Sequence, residues 1–214
     1  MRLTKYEHAC LTVEKDGKLL VVDPGGFTGD LPDLNNVIAV VITHEHFDHY
    51  SEDLLKKICK ANPSAKVIAH IDVLAKISND YKKQVVEAGQ TVEIDSFTLD
   101  FYGGLHVRVH SYLTPQFVNL GVMINSILYY PGDSFVLPES KEVPLLALPV
   151  SGPWLRVGEV MDFVLQAKAK QLFFTHDALW SENSRSFEKT YIKLAADESG
   201  TEIIELSNPI EING

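Results

Sequence analysis

Three histidines and an aspartate fall within six residues, His44-Glu45-His46-Phe47-Asp48-His49, almost directly after the β-branched run of residues 37–42 (VIAVVI). A continuous apolar run of this kind is what a strand buried on both faces looks like, so the motif is expected on a loop where a buried strand ends. A loop can wrap several side chains around one point; a straight strand or a single helix cannot. Neutral imidazole and carboxylate are ligands that zinc, iron and manganese accept alike. The segment therefore predicts a metal site at the end of a buried strand.

The flanking sequence predicts the frame. Residues 18–22 (KLLVV) read as a strand stopped by Asp23-Pro24-Gly25-Gly26, because proline removes a donor and glycine permits turn dihedrals. Residues 51–59 read as a helix with Ser51 as N-cap, acids in its first turn and lysines later. Residues 66–69 (KVIA) make a short strand ending at His70. The same order then returns. Residues 126–130 (SILYY) run into Pro131-Gly132-Asp133, residues 143–150 (VPLLALPV) parallel VIAVVI, and Ser151-Gly152-Pro153-Trp154 follows. A helix over 157–169 and a strand over 171–175 ending at His176 complete the unit. Asp133 lies 110 residues after Asp23, Ser151 lies 108 after Thr43, and His176 lies 106 after His70. This ordered offset predicts a duplicated unit of strand, loop, strand, loop, helix and strand. No Ser/Gly-rich linker separates the copies, so one domain over 1–214 is expected, built from similar halves of about 1–90 and 91–214. Two sheets would pack face to face with helices outside. Between the copies, residues 91–94 and 97–102 predict a hairpin turning at Asp95-Ser96, and the chain ends with a helix over 184–197 and a strand over 202–206.

Composition narrows the function. A formal net charge of −10 removes the whole-molecule basic field that would attract nucleic acid or an anionic membrane. Two cysteines, Cys10 and Cys59, with no CxxC pair argue against a disulfide framework and against a cysteine zinc site. The first residues lack a signal-peptide run and no stretch approaches the roughly 20 apolar residues of a membrane span, so a cytoplasmic location is expected.

The histidine motif and the doubled unit around it resemble the metallo-β-lactamase superfamily. That resemblance implies an α/β four-layer αββα sandwich, with two mixed sheets inside, helices outside and a metal site along one sheet edge. The opening His8-Ala9-Cys10, the strand into Asp23-Pro24-Gly25-Gly26, and Gly132-Asp133-Ser134 are most similar to the branch containing L-ascorbate-6-phosphate lactonase. The resemblance implies that His44, His46 and a histidine after the middle hairpin hold one metal. Asp48, His49 and a late histidine would hold the other, and Asp133 would touch both. The late histidine is His176. For the middle one, the resemblance implies a ligand about nine residues after the start of the hairpin's second strand, which favours His106, with His110 as the rival. His8 is open between ligand, hydrogen-bonding support and structural residue. His70 and Asp23 echo His176 and Asp133 in the first half, with Asp23 expected to orient an imidazole or cap a turn.

The implied cofactors are two divalent ions, zinc first, with manganese and iron equally compatible with these ligands. Two ions about 3.5–4 Å apart lower the pKa of a shared water to about 7 and polarise the bond under attack. Asp48 and Asp133 are the candidate catalytic carboxylates: Asp48 to orient the nucleophile and pass a proton to the leaving group, Asp133 to set the metal spacing. The expected partner is a small-molecule substrate with an ester, lactone, amide or phosphoester bond, met by Trp154 and Arg156. Phe27, Phe47, Tyr50, Tyr112 and Trp180 are further aromatic candidates for the rim. Two other readings stand beside hydrolysis: an iron-dependent sulfur dioxygenase-type oxidoreductase and a non-catalytic metal-binding regulatory protein.

Overall fold

The computed structural model describes residues 1–113, 116–139, 141–206 and 209–213. Among them, strands β1 (Arg2–Lys5), β2 (Leu11–Lys15), β3 (Lys18–Val22), β4 (Val37–Val41), β5 (Lys66–Ala69) and β6 (Lys82–Val85) form one sheet. Strands β7 (Thr91–Ile94), β8 (Phe97–Gly103), β9 (Leu120–Ile124), β10 (Leu128–Tyr130), β11 (Leu145–Pro149), β12 (Gln171–Thr175) and β13 (Glu202–Ile203) form the other. The final strand, β14 (Ile210–Glu211), returns to the first sheet and pairs with β1.

Both sheets are mixed, and in the same way. From β1 to β3 the pairings are antiparallel, and from β3 to β6 they are parallel. From β7 to β10 they are antiparallel, and from β10 to β13 parallel. Helix α1 (Glu52–Ala61) makes the crossover from β4 to β5, and α3 (Val157–Ala167) makes the one from β11 to β12. A short α2 (Ile71–Leu74) follows β5, and α4 (Glu182–Ser199) follows β12.

The four layers follow from which faces are apolar. Leu11, Val13, Leu20 and Val22 of the first sheet meet Phe97, Leu99, Phe101, Val122 and Tyr130 of the second in one buried cluster between the sheets. Alternate residues on the strands' other faces serve the outer layers. Val21, Val40 and Val67 pack against Leu55 and Ile58 of α1. Leu146, Leu148 and Leu172 pack against Val160, Phe163 and Val164 of α3 and Ile192 of α4.

Several sequence boundaries shift for local reasons. The strand read over 37–42 ends at Val41, though Ile42 stays buried. Asn62, whose backbone N–H bonds to the Ile58 carbonyl, caps α1 just before Pro63. The strand read over 202–206 keeps only Glu202–Ile203 at the sheet's edge. Strands β1, β2, β6, β9 and β14 and the short α2 are not expected from the sequence. β6 (KKQV) is an edge strand without apolar alternation, and β9 (LGVMI) carries a glycine inside an otherwise apolar run.

Candidate metal centre

The loop after β4 is shaped from beneath by the turn after β3. Gly26 N donates to the Phe47 carbonyl at 2.7 Å and Ser51 N to the Pro24 carbonyl at 3.0 Å, so the two loops lie against each other. A Cβ on Gly25 would stand 1.8 Å from the Asp48 carbonyl oxygen, so only glycine admits this approach. Across the sheets, Asn119 at the entry to β9 braces the Asp133 turn. Its Oδ1 accepts from Asp133 N at 2.9 Å and its Nδ2 donates to the Pro131 carbonyl at 2.8 Å.

These loops bring eight side chains together in two groups. His44, His46, His106 and Asp133 form one, and His8, Asp48, His49 and His176 the other; within each group the donor atoms lie within 4.8 Å of one another. Asp133 reaches both. Its Oδ2 is 3.2 Å from His106 Nε2 and 3.8 Å from His44 Nε2, and also 3.2 Å from His176 Nε2, while Oδ1 is 3.1 Å from His49 Nε2. Asp48 Oδ2 lies 3.0 Å from His176 Nε2. All of the residues expected as ligands thus converge in one place, with His106 filling the middle position. His110 lies outside: it is exposed, and its Nδ1 accepts from Tyr112 N at 3.3 Å. His70 is outside as well and caps α2, its Nδ1 accepting from Asp72 N at 3.2 Å.

A supporting layer fixes which ring nitrogen faces inward. Asp23 accepts from Thr43 N at 2.8 Å and Thr43 Oγ1 at 2.6 Å, and its Oδ2 lies 2.7 Å from His49 Nδ1. Because the Thr43 hydroxyl spends its proton on Asp23, it accepts from His44 Nδ1 at 3.1 Å. His106 Nδ1 donates to the Val107 carbonyl. His44, His49 and His106 therefore all hold their Nδ1 protons on supporting oxygens and turn Nε2 inward, the arrangement that orients metal-bound imidazoles. His8 differs. Its Nδ1 accepts from Ala178 N at 3.4 Å, which leaves the ring proton on Nε2, where it donates to Asp48 Oδ2 at 3.1 Å. His8 thus orients the Asp48 carboxylate.

The electrostatics are those of a site that wants cations. Burial pushes the Asp133 carboxyl up, but His49 and His176 beside it and the His106 hydrogen bond hold it well below the usual carboxylate range. Burial likewise raises Asp48, and the close approach of His176 and the hydrogen bond from His8 outweigh it and bring the carboxyl down. Burial lowers His49, yet Asp133 and Asp23 carry it well above the ordinary imidazole value. His176 follows the same logic and is raised to about 9. His44 lies well below the usual value, through burial and the neighbouring His49. Despite the short separations, His49 Nε2, Asp133 Oδ1 and both ring nitrogens of His176 are buried without an aligned hydrogen-bond partner among the described residues. Buried polar atoms that crowd together without bonding one another are aimed at something between them, and imidazole plus carboxylate donors fit divalent zinc, manganese or iron.

The expected substrate residues divide. Trp154 is buried against the cluster, its ring centroid 5.5 Å from that of His106 and 5.9 Å from that of His176. Arg156 is exposed at the start of α3, where its backbone N–H bonds to Glu159 at 2.8 Å; among the described residues its guanidinium makes no hydrogen bond or ion pair with the cluster. Phe27 packs edge-on to His8 at 5.2 Å and to Phe47 at 5.7 Å, which places both aromatics on the Asp48 side. Trp180 belongs instead to the outer core beside α4, with Nε1 donating to Glu188 at 2.8 Å. Tyr50 bonds to Glu52, and Tyr112 packs on His110. Sequence reasoning missed Thr43, Asn119 and Ala178. Only the first had a local cue, its place between the buried strand and His44.

The chain matches the beta-lactamase superfamily domain over residues 2–176. Protein Rv0786c of Mycobacterium tuberculosis is 26% identical over 190 residues, covering 86% of this chain and 88% of that protein. A UPF0173 metal-dependent hydrolase of Aeropyrum pernix is 28% identical over 195 residues, covering 80% and 77%. Among solved structures, Igni18, a metallo hydrolase from Ignicoccus hospitalis, superposes with a TM-score of 0.74 at 18% identity, covering 98% of this chain and 97% of that one. No helix among the described residues is long and apolar enough to cross a membrane.

Proposed function

The chain belongs to the metallo-β-lactamase superfamily, and from that premise we propose that it is a metal-dependent hydrolase whose two ligand groups hold a pair of divalent cations, zinc first, at a small-molecule ester, lactone, amide or phosphoester bond. The observation that carries this reading is Asp133: one buried carboxylate within 3.2 Å of His106, His176 and His49 joins the two groups. When bound, two such cations supply an activated solvent nucleophile at neutral pH and polarise the bond under attack.

The protein's own contribution is positioning. Asp23, Thr43 and the Val107 carbonyl fix three imidazoles with Nε2 inward. His8 holds Asp48 so that Oδ2 stays near His176, leaving that carboxylate placed to accept a proton from the nucleophile and return it to the leaving group. Trp154 restricts solvent on the side of His106 and His176. Two free cysteines fit a reducing, cytoplasmic setting. The net charge of −10 fits a small molecule better than nucleic acid.

Metal analysis of freshly purified protein, followed by a panel of esters, lactones, amides and phosphoesters with zinc, manganese or iron restored, tests the reading. We expect about two equivalents of metal and turnover that His46→Ala reduces at least about a thousandfold. Iron with oxygen consumption would move the protein to the dioxygenase reading, and full metal occupancy without turnover on any bond class would favour the regulatory one.

A further inference from the structure

Next to the cluster, His46 and His106 line a cavity of about 120 Å³ whose other walls include Val109, Leu113 and Phe117. Arg108 is the one lysine or arginine in that lining. Its Nε donates to Gln116 Oε1 at 2.8 Å, and Gln116 Nε2 donates to the His106 carbonyl at 2.8 Å. This relay ties the guanidinium to the backbone of a cluster residue, so its position is set relative to His106. A guanidinium has five N–H donors, and the relay uses one. Arg2 and Arg185 each have a carboxylate within 4.0 Å, whereas Arg108 and Arg156, both exposed, have none among the described residues; of these two, Arg108 is the one tied to the backbone of a cluster residue. A cation anchored beside an apolar cavity in a chain of net charge −10 is a local exception to the molecule's field.

Resting on the hydrolase reading above, we propose that the substrate is a small anion: a compact apolar group fills the cavity beside His46 and His106, and a carboxylate or phosphate pairs with Arg108. The guanidinium fork suits either anion, because both present two oxygens at matching spacing. The volume sets the size of the apolar part. An apolar cavity of about 150 Å³ holds benzene, so this one takes a branched group of about four carbons. Arg108 thereby takes the role that the sequence had suggested for Arg156, and it does so from the loop between β8 and β9 that also carries His106.

The test is a calorimetric titration of the zinc-loaded protein with isovalerate, isobutyl phosphate and the neutral isostere isovaleramide. Wild type is expected to bind one of the two anions at least about tenfold tighter than the amide, and the tighter one identifies the anion class. Arg108→Gln is expected to weaken that anion about tenfold or more while changing the amide less than about twofold, with Arg108→Lys intermediate. Any anion binding supplied by the metal itself is common to wild type and variant and cancels in this ratio. Val109→Phe, which fills the cavity, is expected to weaken isovalerate and leave acetate unchanged. An anion-to-amide ratio unaltered by Arg108→Gln, or no binding of either anion at millimolar concentration, overturns the proposal. Because this readout needs no turnover, the two readings fail separately. A selective loss in Arg108→Gln without hydrolysis of any substrate would sink the hydrolase reading alone, and hydrolysis with an unchanged ratio would sink this one alone.

Discussion

The loops after β4 and after β11 occupy matching places in two sheets of matching pairing order, and they contribute to the site in opposite ways. The first delivers His44, His46, Asp48 and His49 as candidate ligands. The second delivers none: Ser151 Oγ donates to the His176 carbonyl, and Trp154 covers the cluster. The turns one strand earlier are reversed. After β3, Asp23 spends both oxygens on Thr43 and His49, while after β10 Asp133 keeps Oδ1 without an aligned partner and reaches both ligand groups. After β5, His70 caps a helix; after β12, His176 joins the cluster. A topological position therefore fixes where a side chain stands, and its local partners decide whether it ligates or supports.

The sharpest way to break this contrast is to make the same change on both sides of it. Asp133→Asn is expected to remove at least one metal equivalent and at least about a thousandfold of turnover, because both groups lose a shared anionic oxygen. Asp23→Asn should keep the metal stoichiometry and weaken metal affinity by about 10- to 100-fold, the usual consequence of changing a group that orients a ligand. Metal content after dialysis, with chelator competition for affinity, separates the two. Equal loss of metal from both variants would erase the distinction between bridging and supporting carboxylates.

The same contrast explains what the sequence reveals. The buried run of residues 37–42 and the density of ligand types after it place one half of the cluster, since strand patterning and ligand chemistry are both local. Residues 171–175 predict β12 with the bounds observed, and the residue that follows is His176. The preference for His106 over His110 comes from the strand-to-ligand spacing that the family resemblance implies, and the structure places His106, not His110, in the cluster. Thr43, with no cue beyond its place before His44, and Asn119 and Ala178, with none, act through hydrogen bonds to segments brought near by folding. Arg156 is close in sequence to Trp154, but it stands at the N-cap of α3 and its side chain is exposed. Strand β1 and the edge strand β6 are hidden because their residues alternate weakly.

A second comparison concerns glycines rather than acids. In the brace between the β3 turn and the motif loop, a methyl group on Gly25 would meet backbone atoms of Asp48 and His49 at 1.8–2.5 Å, and backbone yields only by moving the loop. Gly25→Ala is expected to cost about 3 kcal/mol or more in denaturant unfolding and to loosen the metal, because the displaced loop carries the ligands. Gly158, in the first turn of α3, has nothing within 4 Å of its missing methyl. Gly158→Ala should be neutral or stabilising by up to about 1 kcal/mol, with metal content unchanged. A tolerated Gly25→Ala would mean that the two loops do not press together as described.

The smallest expected effect belongs to the first-half echo of His176. His70 accepts from Asp72 N at the start of a four-residue helix and is partly exposed, so its ring acts on local backbone rather than on the cluster. His70→Ala should cost about 1 kcal/mol, the ordinary price of losing an N-cap acceptor, and His70→Asn should restore most of it because asparagine supplies an equivalent oxygen. Metal stoichiometry and turnover should match wild type in both variants. Loss of a metal equivalent in His70→Ala would place a ligand where the structure shows a cap, and would make the first half's contribution to the site larger than the loop after β4 alone.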